Sequence, residues 1–195
     1  MASTHSASRL PATLHTVASR LRLLFIDIDG VLTDGALYYD ASGEALKRFH
    51  VHDGLGLKLL QQCGIAIAAI SGRSSAMVER RLHELGVDDI MQGHEQKLQL
   101  AEAVLLRRGL SWAACAAMGD DLPDLPLLHR AALSIAPANA NAEIRSRVHW
   151  VTDAAGGNGA VREMADALID ARGQRELTVA AFLAPAAGAA MIQPR

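Results

Sequence analysis

From residue 21 onward the chain alternates short apolar runs with longer segments whose apolar residues recur at helical spacing. The first run, LRLLFIDI at 21–28, has the near-continuous hydrophobicity of a strand that is buried on both faces of a sheet. Such alternation predicts βαβ units, and therefore a parallel sheet with helices on both faces. Further strands are predicted at 65–70, 87–93 (with a loop), 112–119, 132–136 and 148–151, and helices at 12–20, 53–63, 74–86, 95–109, 121–131, 141–147 and 159–173.

One segment departs from this alternation. ALYYD at 36–40 and EALKRFHV at 44–51 are extended-looking runs on either side of a Ser-Gly turn, and they predict a β-hairpin inserted after the first strand. The expected fold is a three-layer α/β/α sandwich with a mostly parallel, Rossmann-like sheet. We expect a single domain over 1–173, with the hairpin at about 36–51, and a tail at 174–195 that is either helical or mobile.

Composition excludes several classes of partner. The formal net charge is −2 and the pI about 6.4, so no basic excess is available for a nucleic-acid backbone. The most apolar stretch, 177–192, is interrupted by Pro185 and Gly188 and is shorter than the ~20 residues of a membrane span. Cys63 and Cys115 lie in apolar runs, which is typical of a reduced, intracellular protein without disulfides. We therefore expect no nucleic-acid partner, no membrane partner and a cytoplasmic location.

Polar residues follow three of the predicted strands. In a parallel α/β sheet ligands bind at the carboxyl ends of the strands, so these residues are expected to share one site. The groups are Asp27-Ile28-Asp29-Gly30 after the first strand, Ser71-Gly72-Arg73 after the second, Lys97 near the start of the following helix, and Gly119-Asp120-Asp121 with Asp124 after the third.

These residue types fit a hard divalent cation that faces a phosphate group. Mg²⁺ prefers oxygen ligands and is usually held by one or two carboxylates, waters and a substrate phosphate oxygen. Asp27 and Asp120 are the expected carboxylate ligands, and a backbone carbonyl near Asp29 is the expected third protein oxygen. Lys97 and Arg73 would neutralise the phosphate.

The same groups are suited to phosphoryl transfer. The hydroxyl of Ser71 and nearby backbone N–H groups would hydrogen-bond the phosphate oxygens. A carboxylate at this place can attack phosphorus, and a second one two residues on can protonate the leaving alkoxide and then activate water. Taken singly, each feature is also explained as a solvated turn, a helix cap or a surface lysine. The prediction therefore depends on their order along the chain.

That order resembles the four motifs of the haloacid dehalogenase superfamily of phosphohydrolases, here DIDGVLTDG, SGR, the lysine of EQKLQ, and GDDLPD. A narrower resemblance, over roughly residues 15–172, is to the 3-deoxy-D-manno-octulosonate (KDO) 8-phosphate phosphatase family. It is carried by GEALKRFHVHDGLGLKLL, AIAAISGRSSAMVERR, QGHEQKL, MGDDLPDLPLL and GGNGAVRE.

The resemblance implies a role for each site residue. Asp27 would be the nucleophile and Asp29 the general acid/base, and Lys97 would complete the catalytic set. Mg²⁺ would be bound by Asp27, the carbonyl of Asp29, and Asp120. The phosphoryl group would be held by Lys97 with Ser71, Gly72 and Arg73, whereas Asp121 and Asp124 would orient the ligands or waters of the metal.

The resemblance also implies how the enzyme is assembled and used. The family is capless and forms tetramers in which the hairpins join a central barrel and neighbouring subunits help to cover each active site. We therefore expect a capless homotetramer that hydrolyses a sugar-acid phosphate in the synthesis of lipopolysaccharide precursors. Lys47 and Arg48, on the hairpin, are candidates for attracting the anionic sugar acid.

Some alternatives stay open at this point. Asn158 stands in the GGNG loop where the octulosonate enzymes usually have arginine, so a related nonulosonate 9-phosphate is the nearest rival substrate. A phosphorylatable receiver module also combines an acid pair, a hydroxyl and a lysine, but its phosphoacceptor aspartate usually ends the third strand. A non-catalytic oligomerisation module with a phosphatase-like fold is the remaining alternative, although this chain keeps every acid of the motifs.

Overall fold

Six parallel strands form the central sheet of the computed structural model, which describes residues 10–183. In chain order the strands are β1 (Leu23–Ile26), β2 (Tyr38–Asp40), β3 (Gly43–Leu46), β4 (Ala66–Ser71), β5 (Asp89–Gln92), β6 (Cys115–Met118), β7 (Leu133–Ala136) and β8 (Trp150–Val151). The sheet has the order β5-β4-β1-β6-β7-β8, and β2 pairs with β3 as a separate antiparallel hairpin. The predicted parallel sheet, with a hairpin inserted after β1, is confirmed.

Helices pack on both faces of this sheet, as the prediction required. Alternate residues of β1 enter different apolar layers: Leu24 and Ile26 join one layer, and Leu23 and Phe25 join the other. All four are buried because each face of β1 is covered by helices. The helices are α1 (His15–Ala18), α2 (Val51–Gln62), α3 (Ala76–Glu84), α4 (Lys97–Arg108), α5 (Leu125–Arg130), α6 (Ala142–Arg145), α7 (Ala160–Ala171) and α8 (Arg175–Leu183).

Several elements are shorter than predicted. Residues Trp112–Ala114 form a 3₁₀ turn, so β6 begins at Cys115 rather than at 112. The segment at 121–131 divides into a 3₁₀ turn, Leu122–Asp124, and α5, because a proline stands in the first turn of each. The hairpin strands occupy 38–46 rather than 36–51, and the helix predicted at 141–147 is only α6.

The start of the predicted tail is helical. Helix α8 is joined to α7 by Arg175, which donates hydrogen bonds of 2.6 and 2.7 Å to the carboxylate of Asp170. Residues 184–195 lie outside the described residues, so the prediction for the rest of the tail is not tested. Within 10–183, no helix combines the length and the apolarity needed to cross a membrane.

Candidate active site

Polar residues from three neighbouring strands and one helix meet at the carboxyl edge of the sheet. Because β1 lies between β4 and β6, Asp27 after β1 is flanked by Ser71 at the end of β4 and by Asp120 just after β6. The Asp27 N–H donates to the Met118 carbonyl at 3.0 Å, which fixes Asp27 relative to β6. Lys97, the first residue of α4, reaches the same edge through its side chain.

Three carboxylates form the centre of the site. Oxygens of Asp27, Asp120 and Asp124 lie within 4.8 Å of one another. Burial, and then the charge of Asp124, raises the pKa of Asp27 to about 7. Burial, and then the charge of Asp27, raises the pKa of Asp120 to about 8. Carboxylates that oppose each other's ionisation in this way are suited to a divalent cation, which their oxygens would hold.

Lys97 is the cation that the structure itself provides at this centre. Its Nζ donates hydrogen bonds of 2.6 Å to Asp27 Oδ1 and of 2.6 Å to Asp124 Oδ1. Desolvation lowers the pKa of Lys97, but the charges of Asp27 and Asp124 outweigh that effect and raise it above its ordinary value. Lys97 is therefore charged, and with three carboxylates to one ammonium the centre is still short of positive charge.

Asp121 and Asp124, which share one predicted role, lie in different surroundings. Asp124 is buried, and its Oδ2 accepts the N–H of Asp120 at 3.0 Å and that of Asp121 at 3.3 Å. Asp121 is exposed and caps the 3₁₀ turn by accepting the N–H of Leu122 at 2.9 Å. The structure therefore brings Asp124 into the carboxylate centre and leaves Asp121 at its margin.

Two glycines let the loops approach closely enough to form this centre. Gly30 has a φ of +98°, and a Cβ there would lie 2.1 Å from Asp120 Oδ2. A Cβ at Gly119 would lie 2.4 Å from the Cβ of Asp124. Any larger residue at either position would push a site carboxylate out of place.

The side chain of Asp29 pairs with a basic residue and lies outside the group of three carboxylates. Its Oδ1 forms an ion pair with Lys47, which follows β3, and its Oδ2 lies 4.0 Å from Arg73 Nε. The side chain of Asp29 belongs to no group of described residues that could hold a metal, which is compatible with the prediction that only its carbonyl is a ligand. Lys47 is directed towards Asp29 and Glu44, and only 2% of its side chain is exposed. It is therefore not the open anion-attracting group that the sequence suggested.

The second motif lies beside this pair. Ser71 is buried, and its Oγ accepts the N–H of Arg73 at 3.1 Å. A Cβ at Gly72 would meet nothing within 4 Å, so open space faces that residue. The guanidinium of Arg73 donates to the hydroxyl of Tyr39 at 2.9 Å and points towards the hairpin. Ser71 and Gly72 thus lie at the site edge, whereas Arg73 joins that edge to the hairpin.

The GGNG loop packs against the first motif. A Cβ at Gly156 would lie 1.7 Å from the Gly30 carbonyl oxygen, and the Gly157 N–H donates to the Val31 carbonyl at 2.9 Å. Arg48 donates to Asn158 Oδ1 at 2.9 Å and to the Gly157 carbonyl at 3.3 Å. The hairpin and this loop together border the carboxylate centre.

Sequence reasoning missed two carboxylates that support this arrangement. Asp53 in α2 is buried and accepts the N–H groups of Gly159 and Arg162 at the start of α7. Glu44 in β3 accepts the hydroxyl of Ser75 at 2.6 Å. Both residues lie in GEALKRFHVHDGLGLKLL, a segment that carries the family resemblance, but the resemblance implied no role for either of them.

Comparison with known proteins agrees with this geometry. A family model described as haloacid dehalogenase-like hydrolase matches residues 88–164. A 3-deoxy-D-manno-octulosonate 8-phosphate phosphatase from Haemophilus influenzae is 40% identical over 154 residues, which are 79% of this chain and 86% of the relative.

Two solved structures are similar over nearly their whole length. The 3-deoxy-D-manno-octulosonate 8-phosphate phosphatase from Moraxella catarrhalis, in complex with a magnesium ion, a phosphate ion and KDO, is 39% identical with a TM-score of 0.84, covering 87% of this chain and 98% of that one. The cobalt-bound deoxy-D-mannose-octulosonate 8-phosphate phosphatase from Haemophilus influenzae is 38% identical with a TM-score of 0.82, covering 86% and 99%.

Proposed function

Because this chain belongs to the 3-deoxy-D-manno-octulosonate 8-phosphate phosphatase family of haloacid dehalogenase-like hydrolases, we propose that it hydrolyses KDO 8-phosphate to KDO and inorganic phosphate. The observation that carries the proposal is the group of three carboxylates served by one lysine. Its uncompensated negative charge suits Mg²⁺, and the divalent ion would in turn attract a phosphate monoester.

Asp27 is the proposed nucleophile. One of its carboxylate oxygens bonds to phosphorus while the bond from phosphorus to the sugar oxygen breaks, and Asp29 gives a proton to that departing oxygen. Asp29 then takes a proton from water as the water attacks the aspartyl-phosphate, which releases phosphate and restores Asp27. When bound by Asp27, Asp120 and the carbonyl of Asp29, Mg²⁺ would neutralise charge on the phosphoryl oxygens.

The remaining site residues hold the phosphoryl group in place. Lys97 keeps the Asp27 carboxylate in position from one side and offers positive charge to the phosphoryl oxygens. Ser71 and Gly72 would supply a hydroxyl and a backbone N–H group from the end of β4. Arg73, whose guanidinium donates to Tyr39, would add positive charge at the same edge. Asp124 fixes Lys97 and the backbone of Asp120, which is a supporting role.

We also propose that residues 1–173 form one capless catalytic domain and that four copies assemble through the hairpin. Tyr39 is 60% exposed and Leu46 is 49% exposed, although both lie on the hairpin beside the site. Apolar exposure of this kind suits contact with a neighbouring subunit, which would help to exclude water from an active site without a cap. The proposed setting is lipopolysaccharide precursor synthesis in the cytoplasm.

A screen of phosphate release tests this proposal. Purified protein is given KDO 8-phosphate, a nonulosonate 9-phosphate and simple hexose phosphates, each with Mg²⁺ and with EDTA. We expect the highest kcat/KM for KDO 8-phosphate and no turnover in EDTA. Preference for the nonulosonate would replace the substrate, stable labelling by acetyl phosphate without turnover would favour a receiver module, and inactivity on every substrate would favour a non-catalytic module.

A further inference from the structure

The side chain of Asp29 is held by a buried lysine from the hairpin. Lys47 Nζ pairs with Asp29 Oδ1 and lies 3.3 Å from Glu44 Oε1. Because only 2% of the Lys47 side chain is exposed, its ammonium group depends on these two carboxylates in place of water. A lysine this enclosed has little freedom to leave Asp29.

Glu44 fixes the other side of Lys47. Its Oε2 accepts the hydroxyl of Ser75 at 2.6 Å, and this hydrogen bond is the main cause of the lowered pKa of Glu44. The N–H of Ser75 donates to Gln92 Oε1 at 2.9 Å, which ties the loop after β4 to β5. Lys47 is therefore anchored through Glu44 to the body of the domain as well as to the hairpin.

This arrangement makes the two oxygens of Asp29 unequal. Oδ1 is taken by Lys47, whereas Oδ2 lies 4.0 Å from Arg73 Nε and makes no hydrogen bond within residues 10–183. The side chain of Asp29 is 19% exposed, so its carboxyl group is only partly enclosed. One oxygen anchors the carboxyl group and the other is left to exchange a proton.

We propose that Lys47 is a positioning residue that holds Asp29 so that Oδ2 delivers the proton to the departing sugar oxygen. This inference rests on the proposed function. As the Asp27–phosphorus bond forms, the electrons of the breaking phosphorus–oxygen bond pass to the sugar oxygen, which takes from Asp29 Oδ2 the proton that the attacking water of the preceding turnover left there. The resulting carboxylate stays next to the ammonium group of Lys47. Lys97 thus positions the nucleophile Asp27, and Lys47 positions the acid Asp29.

The leaving group provides the test. A sugar alkoxide needs a proton to depart, whereas p-nitrophenolate departs readily without one, so a misplaced acid slows only the first reaction. We therefore compare kcat/KM of Lys47→Met and wild type for three substrates: KDO 8-phosphate, the carboxylate-free sugar phosphate that the wild type hydrolyses fastest, and p-nitrophenyl phosphate. For Lys47→Met we expect roughly 100-fold losses with both sugar phosphates and at most about a threefold loss with p-nitrophenyl phosphate.

Three further variants complete the experiment. Lys47→Arg keeps the charge and is expected to recover much of the lost kcat/KM. Lys58→Met removes an exposed lysine from α2 and is expected to match wild type on all three substrates. Glu44→Gln weakens the anchor of Lys47 and is expected to give the same substrate pattern with smaller losses. If thermal unfolding shows that Lys47→Met does not fold, Glu44→Gln is used in its place to test the inference.

Two results would overturn the inference. Equal losses on all three substrates would mean that Lys47 only maintains the structure, and a loss confined to KDO 8-phosphate would mean that it binds the sugar-acid carboxylate. Failure of the proposed function has a different result, because the wild-type protein would then not release phosphate from KDO 8-phosphate.

Discussion

The carboxylates at the end of the sheet and the carboxylate of Asp53 are both buried, but their charges are met differently. Burial is the main cause of the raised pKa in both places. Asp53 accepts two backbone N–H groups at the start of α7, at 3.1 and 2.8 Å, so its hydrogen bonds come from the fold itself. At the sheet edge, three carboxylates share one lysine. A buried carboxylate whose hydrogen bonds are all supplied by the fold has a structural role. A group of buried carboxylates with too little positive charge nearby indicates a ligand site.

Replacing Asp27 by asparagine is expected to have the largest effect on activity. The amide cannot form the aspartyl-phosphate, so kcat should fall by at least roughly 10⁴-fold. Stability should not fall, because one of three repelling carboxylates is removed and Lys97 keeps Asp124. Phosphate release and thermal unfolding measure the two effects. Asp88→Asn, an exposed control, should leave both unchanged, and phosphatase activity retained by Asp27→Asn would remove Asp27 from the nucleophile position.

Both pH and Mg²⁺ are expected to change the stability of the protein through the carboxylates of Asp27 and Asp120. The folded-state pKa values of about 7 for Asp27 and about 8 for Asp120 exceed the unfolded carboxyl value of about 4, so the folded protein binds more protons. Without metal, stability should therefore fall as pH rises from about 4 to about 8. Mg²⁺ binds the ionised carboxylates and should oppose this loss most strongly at pH 8.

Thermal unfolding with and without Mg²⁺ measures this effect. At 100 times its Kd a ligand adds about 2.7 kcal/mol, which for a chain of this length raises Tm by roughly 5–10 °C. We expect that rise at pH 8 and little of it at pH 5, and we expect Asp120→Asn to abolish most of it. An equal rise at both pH values, or in Asp120→Asn, would place the metal elsewhere.

The aspartates at the edge of the sheet could be predicted from the sequence because each is marked by the residues directly before it. Asp27 and Asp120 each follow a strongly apolar run, and parallel strands bring the ends of such runs together. The contacts of Asp53 were not predictable in this way, because they join α2 to residues more than 100 positions further along the chain. Packing between helices decides that pairing, and no spacing in the sequence encodes it.

The orientation of individual side chains was equally beyond the sequence. Lys47 lies in a stretch that suggests an exposed hairpin end, but the structure turns it inward onto Asp29 and Glu44. Asp121 and Asp124 belong to one motif, and only the capping turn between them sets one outside and one inside. Residue type and order predicted which side chains lie near the site. The orientation and contacts of each side chain depend on loop geometry, which the sequence does not show.

Replacing Asp53 by alanine tests whether this buried carboxylate has a structural role. The substitution leaves two backbone N–H groups at the start of α7 without their acceptor, and we expect a loss of about 2–3 kcal/mol in the free energy of unfolding. Urea unfolding measures it, and the exposed Asp88→Ala should change stability by at most about 0.5 kcal/mol. Because Asp53 is bound to the fold and not to a ligand, Mg²⁺ should raise Tm of Asp53→Ala as much as that of wild type.

The smallest effect is expected for Asp121→Asn, and it is informative beside Asp124→Asn. Asparagine caps a helical turn about as well as aspartate, so we expect a stability change within about 0.5 kcal/mol and kcat within about threefold of wild type. Asp124→Asn weakens the ion pair with Lys97 inside the centre and should lower kcat far more. Steady-state kinetics of the two variants decides the matter. Equal losses would mean that the exposed carboxylate of Asp121 also acts on the metal or its waters. Asp121 would then belong to the metal site together with Asp27, Asp120 and Asp124.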